Sequence, residues 1–114
     1  FMSATETARG AKTVADLRTL ESAAVMYYAK TGVVPTKTDL ENGNATLGTT
    51  ALVASWPVPA SGKAIIKNNA NKELSWDIKA TEYEINDDGR PVIGAKDAGK
   101  TIDDLLKATA GGDL

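Results

Sequence analysis

The chain contains no cysteine and no histidine. Without cysteine it cannot form a disulfide, a thiolate metal site or a thiol nucleophile. Without histidine it lacks the side chain best suited to proton transfer near neutral pH, which is also the commonest metal ligand. Ser–His–Asp triads, Cys–His pairs and histidine-based zinc sites are therefore excluded. We expect no enzyme activity, no catalytic residue and no cofactor.

Long apolar runs and a surplus of positive charge are also missing. No stretch reaches the roughly 20 apolar residues of a membrane-spanning helix. The 13 basic and 15 acidic residues leave a net charge of −2, so non-specific nucleic-acid binding, which needs many Lys and Arg contacts to phosphates, is not expected. With 114 residues, 42% of them hydrophobic, the sequence predicts one globular domain.

Residues 1–35 are predicted to be one long helix and its exit. Good helix formers dominate from residue 11 to residue 30, and apolar side chains recur at helical spacing. The predicted buried face comprises Val14, Leu17, Leu20, Ala24, Val25, Tyr27 and Tyr28. Gly32 and Pro35 supply a stop signal, whereas the pattern fades toward Phe1 into small and polar residues. A fading start is typical of a helix cut from a longer one, and a frayed terminus is the alternative.

The remaining residues divide into a connecting loop, 36–62, and a β-rich part, 63–114. The loop is rich in Thr, Asn, Gly, Ser and Pro, and short helical turns are predicted at 38–41 and 50–53. Trp56 is predicted to fill the core from this loop, with a surface aromatic for ligand binding as the alternative.

Apolar and polar side chains alternate with period two after residue 63, which indicates antiparallel strands with one buried face. Strands are predicted at residues 64–67, 74–78, 83–85 and 91–93. Asp88 and Gly89 supply a hairpin turn, and Thr101 is a predicted N-cap for a short helix at 102–108. The predicted fold is α+β, with the long helix packed on a three- to four-stranded antiparallel sheet in one domain.

Four segments resemble the type IV pilin and type II secretion pseudopilin family. Residues 1–4 (FMSA) resemble the stretch that follows the membrane-spanning half of the family's helix. Residues 16–20 (DLRTL) resemble its D-L-R-T-I block, residues 24–28 its A-x-x-x-Y, and residues 31–36 (TGVVPT) the N-G-x-Y-P-T helix exit. The match covers about a third of the chain. Val34 stands where the family often has an aromatic residue, and the two cysteines of many pilins are absent.

The resemblance implies a fold and a place in the cell. Residues 1–35 would be the C-terminal half of the pilin helix. A basic leader, a cleavage site, an N-methylated first residue and an apolar membrane span would precede them. The full-length protein would lie in the inner or cytoplasmic membrane before assembly, through that preceding segment alone, and afterwards in a periplasmic or cell-surface filament.

The function that the resemblance implies is that of a structural filament subunit, either a type IV pilin or a pseudopilin of a type II secretion system. Its partners would be copies of itself, other pilins and assembly proteins, with no small-molecule substrate and no nucleic acid. Small residues on the N-terminal part of the helix would allow close packing between copies, and the filament interface candidates are Ala4, Thr7, Ala8 and Ala11. The alternative is a monomeric extracellular binding module that uses Trp56 and the 36–62 loop.

Two further patterns have a functional and a structural interpretation. Asp87, Asp88 and Asp97 are weak calcium candidates, but they do not match the EF-hand pattern, and Asp-Gly is also what a hairpin turn needs. Residues 94–101 (GAKDAGKT) satisfy the G-x-x-x-x-G-K-[ST] spacing of a phosphate-binding loop. The parallel strands and the second acidic strand of nucleotide-binding domains are not predicted here, so we expect no nucleotide binding.

Overall fold

A helix of 30 residues, α1 (Met2–Thr31), runs along almost the whole molecule. The computed structural model describes residues 2–114, leaving out the side chain of Met2, so the predicted junction at residues 1–4 lies partly outside the described residues. A helix of this length spans about 45 Å, close to the longest dimension of 48 Å. It ends where the sequence predicts, since the Gly32 N–H donates to the Tyr28 carbonyl at 2.8 Å and Gly32 turns left-handed at φ 70°.

The buried face of α1 is a narrow stripe. It consists of Gly10, Thr13, Leu17, Leu20, Ala23, Ala24 and Tyr27. The prediction was wrong for Val25 and Tyr28, which are 61% and 56% exposed, and the buried Ala23 was not among the residues predicted for this face. The main buried positions repeat every seven residues, whereas an α-helix needs 7.2 residues for two turns. The stripe therefore drifts by about 20° per heptad toward Ala23 and away from Val25 and Tyr28.

The four predicted strands are present, but they pair two by two. β1 (Gly62–Lys67) pairs antiparallel with β2 (Glu73–Ile78), and β3 (Tyr83–Ile85) pairs antiparallel with β4 (Pro91–Ile93). The prediction of one sheet with three to four strands was therefore wrong, although the α+β class is confirmed. The helix packs on strands of both pairs, β1 and β4.

The C-terminal residues explain why the sheet is divided. The Asp77 N–H donates to the Gly112 carbonyl and the Leu114 N–H donates to the Asp77 carbonyl, each at 2.8 Å. The N–H groups of Lys79 and Ala80 also donate to the Leu114 carbonyl. The tail thus occupies the edge of β2 that faces away from β1, and β3 cannot pair there.

Three short helical segments complete the fold: α2 (Lys37–Asn42), a 3-10 turn (Ala45–Leu47) and α3 (Ile102–Lys107). The turn predicted at 38–41 is confirmed within α2, and the predicted cap Thr101 forms a capping box with Asp104. The turn predicted at 50–53 was wrong. The N–H groups of Leu52 and Val53 both donate to the Leu40 carbonyl, which folds this segment against α2 instead.

Trp56 anchors the connecting loop to the β-rich part. Its half-buried ring packs against the core, as predicted, and its indole Nε1–H donates to the Tyr83 carbonyl at 2.9 Å. The Lys37 ammonium lies 5.4 Å from the ring centroid, within the range of a cation–π contact. Within the protein, the edge of the ring therefore makes a hydrogen bond and its face makes a cation–π contact.

The closest approach between α1 and the strands is at Gly10. A Cβ on this glycine would lie 1.9 Å from the Ile65 carbonyl oxygen and 3.1 Å from the Ile66 side chain. Only a residue without a side chain lets the helix backbone meet β1 at this distance. Nearby, the Arg9 guanidinium donates to the Lys63 carbonyl at 3.0 Å and ties the same helical turn to the strand.

Two side-chain contacts tie α1 to the β3–β4 hairpin. The buried Tyr83 hydroxyl donates to the Asp16 carboxylate at 2.8 Å, and the Arg90 guanidinium pairs with Glu21 at 3.2 Å. Burial is the main cause of a raised Tyr83 pKa, and the hydrogen bond to Asp16 and the charge of Asp16 raise it further. The phenol therefore stays neutral in the folded protein at pH values where a free tyrosine ionises.

Gly10→Ala is expected to destabilise the protein, although helix propensity alone would favour alanine by about 1 kcal/mol. The added Cβ cannot fit against the Ile65 carbonyl, and forced overpacking costs about 1–3 kcal/mol. Urea denaturation measures the free energy of unfolding, with Ala15→Gly at an exposed helix position as the control for propensity. A more stable Gly10→Ala variant would contradict the close approach of α1 to β1.

Tyr83→Phe is expected to lower the free energy of unfolding by about 1–2 kcal/mol at neutral pH, because a buried hydrogen bond to a carboxylate is lost. Since the folded pKa of Tyr83 is raised, its contribution is fully present below the ordinary tyrosine pKa and is lost as the pH rises above it. The loss of stability above about pH 10 should therefore be smaller in Tyr83→Phe than in wild type. Urea denaturation at neutral and alkaline pH tests this, with the exposed Tyr28→Phe as control, and equal alkaline losses would contradict it.

Candidate assembly surface

The four predicted interface residues lie together on an exposed face of α1. Ala4, Thr7, Ala8 and Ala11 are spaced by three and four residues, so they share one side of the helix, and all four are exposed. The exposed Ala15 continues the row by one more turn. We call these five residues the small-residue face. In the described part of α1, no side chain N-terminal to Gly10 is buried.

A second exposed surface was missed by the sequence analysis. It consists of Val25, Met26, Tyr28, Val33 and Val34, which are between 42% and 61% exposed. We call these five residues the apolar patch. They are five of the seven large hydrophobic side chains exposed in the described part of the chain, and such clustering is typical of interaction sites. A signal was present in the sequence, since strict seven-residue spacing from Leu17 and Leu20 leaves positions 25 and 28 outside the buried stripe.

A pocket of about 310 Å³ opens beside the apolar patch, between the end of α1 and the β3–β4 turn. Its walls include Ala24, Tyr28, Val34 and Pro35. The turn comes this close because Gly89 adopts φ 78°, and a Cβ there would lie 2.5 Å from the Val34 side chain. The pocket is therefore formed by a helix end and a hairpin turn that are far apart in sequence.

Charged side chains also line this pocket, those of Glu21, Asp88 and Arg90. The Arg90 guanidinium bridges two carboxylates, at 2.9 Å to Asp103 and 3.2 Å to Glu21. The hydrogen bond from Arg90, and then its charge, hold the pKa of Asp103 below its ordinary value. The second carboxylate oxygen of Glu21, Oε2, is buried and has no hydrogen-bond partner in the described residues.

The structure corrects one pairing that the sequence suggests. Arg18 and Glu21 are three residues apart on α1, a spacing at which opposite charges can pair, but the Glu21 carboxylate turns to Arg90. Arg18 is exposed, and no hydrogen bond or ion pair involves it within residues 2–114. Helical spacing alone could not show this, because Arg90 comes from a hairpin 69 positions further along the chain.

The three calcium candidates do not form a ligand cluster. Asp87 pairs with Lys96 at 3.1 Å, and Asp88 lies in the turn that the Gly89 N–H closes by donating to the Asn86 carbonyl. Asp97 lies in the following 95–99 turn, and residues 2–114 contain no group of three or more His, Cys, Asp or Glu side chains placed to hold a metal ion. The hairpin-turn interpretation of Asp88 and Gly89 is confirmed.

Backbone groups of the 94–101 segment are engaged within the protein. The N–H groups of Gly94, Gly99 and Lys100 donate to the carbonyls of Glu82, Ala95 and Ile93, at 3.0, 2.6 and 3.2 Å. The Thr101 hydroxyl accepts from the Asp104 N–H. A phosphate-binding loop needs such groups free to point at the phosphate, so the G-x-x-x-x-G-K-[ST] spacing here belongs to a closed turn and a helix cap.

Comparison of the chain with protein-family models, with curated proteins and with solved structures gives no match. Between residues 2 and 114, no helix is both long enough and apolar enough to cross a membrane.

Arg90→Ala is expected to destabilise the protein modestly at neutral pH, because Glu21 and Asp103 both lose their cationic partner. The cluster is partly open to water, so screening keeps the loss to about 1 kcal/mol or less. The folded pKa of Asp103 is lowered, so its contribution is present above its ordinary pKa and is lost as the pH falls below about 4. The difference in the free energy of unfolding between wild type and Arg90→Ala should therefore shrink below about pH 4.

Urea denaturation at neutral pH and at about pH 3 measures this difference. Arg18→Ala is the matched control, because it removes an unpaired arginine from the same region and should change stability by less than about 0.5 kcal/mol. An Arg90→Ala effect that is the same at both pH values would contradict the contribution assigned to the ion pairs.

Proposed function

We propose that this protein is a structural subunit of a type IV pilus or of a related pilus-like filament, and that it polymerises through α1. The observation that supports the proposal best is the division of α1 into two sides. One side holds the buried stripe, and the other carries the small-residue face and the apolar patch along most of the helix.

The N-terminal part of α1 supports this proposal because it contributes little to the core. The described residues before Gly10 carry only exposed or half-buried side chains. An isolated helical segment of this length is marginal in water without packing partners. Small side chains at 4, 8, 11 and 15 would let a neighbouring helix approach closely, as they do where helices pack backbone to backbone.

The C-terminal part of α1 supports it in a different way. The apolar patch exposes branched and aromatic side chains that a monomer would ordinarily bury or disperse. A small-residue face and an apolar patch on one subunit are different surfaces, so a contact between them is head to tail. Head-to-tail contacts that do not close into a ring generate helical filaments.

The proposed location follows from this function. The subunit would be held in the inner or cytoplasmic membrane before assembly, through a segment that would precede Phe1, and would then move into a periplasmic or cell-surface filament. A pseudopilin of a type II secretion system is the other form of the same proposal. The intact mass and N-terminal sequence of the native protein, taken separately from sheared filaments and from membranes, distinguish the two.

The alternative of a monomeric binding module gains no support from Trp56. Its ring packs inward, its Nε1–H binds the Tyr83 carbonyl and Lys37 covers it. The exposed apolar side chains of the 36–62 loop, Leu47 and Val58, are single residues rather than a cluster.

Cysteine labelling tests the filament proposal, since the chain has no cysteine of its own. Ala8→Cys in the full-length protein should react with a maleimide–polyethylene glycol reagent after detergent dissociation but be protected in assembled material, by about tenfold or more in rate. The control is Lys72→Cys in the exposed β1–β2 turn, which should react in both samples. Equal reactivity of Ala8→Cys in both samples would contradict assembly through this face.

A further inference from the structure

We propose that the pocket beside the apolar patch receives the Arg18 side chain of a second copy of this chain. The inference rests on the proposed function, because it names the contact that would join one subunit to the next. It concerns a specific cation and a specific acceptor pocket, and it therefore goes beyond the general expectation that α1 packs against α1.

The guanidinium of Arg18 is a hydrogen-bond donor without an acceptor in the described residues. It is exposed on α1 one turn beyond Ala15, and it makes no hydrogen bond or ion pair within residues 2–114. Arg9 by contrast donates to the Lys63 carbonyl, and Arg90 bridges Glu21 and Asp103. Arg18 is therefore the one arginine of the three whose guanidinium is unused in the described part of the monomer.

The pocket has the complementary charge. Two carboxylates line it, those of Glu21 and Asp88, against the single guanidinium of Arg90. Arg90 also pairs with Asp103 at 2.9 Å, so part of its charge is already engaged outside the pocket lining. The exposed Asp88 side chain makes no ion pair within the described residues. A second guanidinium could pair with this carboxylate, since it offers five donors in a planar fork.

The pocket walls suit an arginine side chain. Tyr28 and Val34 line the pocket, so that the aliphatic stem of an arginine could pack on valine while its guanidinium lies against the tyrosine ring. The volume of about 310 Å³ exceeds what one such side chain needs, which leaves room for water around the charges.

The surroundings of Arg18 would let it reach such a pocket on a neighbour. Ala11 and Ala15 precede it on the same side of α1 and offer no bulk to hold another subunit away. If the helices of the two copies run parallel, Arg18 of one lies level with the stretch 21–29 of the other, which supplies the helical wall of the pocket. A shift of three to eleven residues corresponds to an axial offset of about 5 to 16 Å between neighbours.

Charge reversal in the full-length protein tests the contact. Arg18→Glu and Asp88→Arg should each lower the fraction of protein found in filaments by about tenfold, because each places like charges at the interface. The double variant should recover to within about threefold of wild type, because the pair is restored with opposite sign. Asp88 has no left-handed backbone angle, so an arginine is compatible with the turn.

The controls are Lys72→Glu and Asp97→Arg, which make the same charge changes at exposed positions outside the pocket lining and should leave assembly unchanged. Urea denaturation of each purified variant verifies that it folds. If wild type itself forms no filaments, the proposed function fails. If wild type polymerises but the double variant assembles no better than the single ones, the inference alone is overturned.

A disulfide test covers the case in which charge reversal disturbs folding. Arg18→Cys and Val34→Cys in one chain should give a ladder of covalent oligomers when filaments are oxidised, since each pocket would meet the position-18 thiol of a neighbour. Arg18→Cys combined with Lys72→Cys is the control and should give none. Wild-type filaments together with an unlinked Arg18→Cys/Val34→Cys variant would overturn the proposed contact.

Discussion

The buried stripe of α1 is the contact on which the rest of the structure depends. The β1–β2 and β3–β4 pairs share no ladder of hydrogen bonds, and the helix packs on both. A two-stranded ribbon alone is marginally stable at best in water. Gly10 lets the helix meet one pair closely, while Asp16 and Glu21 bind side chains of the other.

Because this buried stripe is narrow, the opposite side of α1 stays exposed and can contact another molecule. Because buried positions repeat every seven residues, the bulky residues Val25 and Tyr28 turn outward at the end of the helix, where Arg90 and the β3–β4 turn complete a charged pocket. The N-terminal turns expose mostly small side chains. This distribution of small, bulky and charged groups is the physical basis of the filament function and of the Arg18 contact that we propose.

Much of the local structure could be predicted because its causes are local. Gly32 ends α1, Thr101 caps α3 and Gly89 makes the hairpin turn, each through its own backbone preferences or through bonds to residues three or four positions away. The apolar members of the strands were found for the same reason, since alternation with period two is a property of neighbouring residues. The four interface candidates on α1 were also found on one exposed face, because three- and four-residue spacing defines a helix side.

The amino-acid sequence by itself determined the helix, the four strands, the capped turns and the lack of cysteine and histidine chemistry. Only the tertiary structure decided that the strands form two pairs and that Glu21 binds Arg90. Each of these outcomes depends on groups far apart in the chain. The Gly112–Leu114 tail competes for the edge of β2, and a hairpin guanidinium competes with Arg18 for a carboxylate. Such competition is settled by packing in three dimensions, which the spacing of neighbouring residues does not encode.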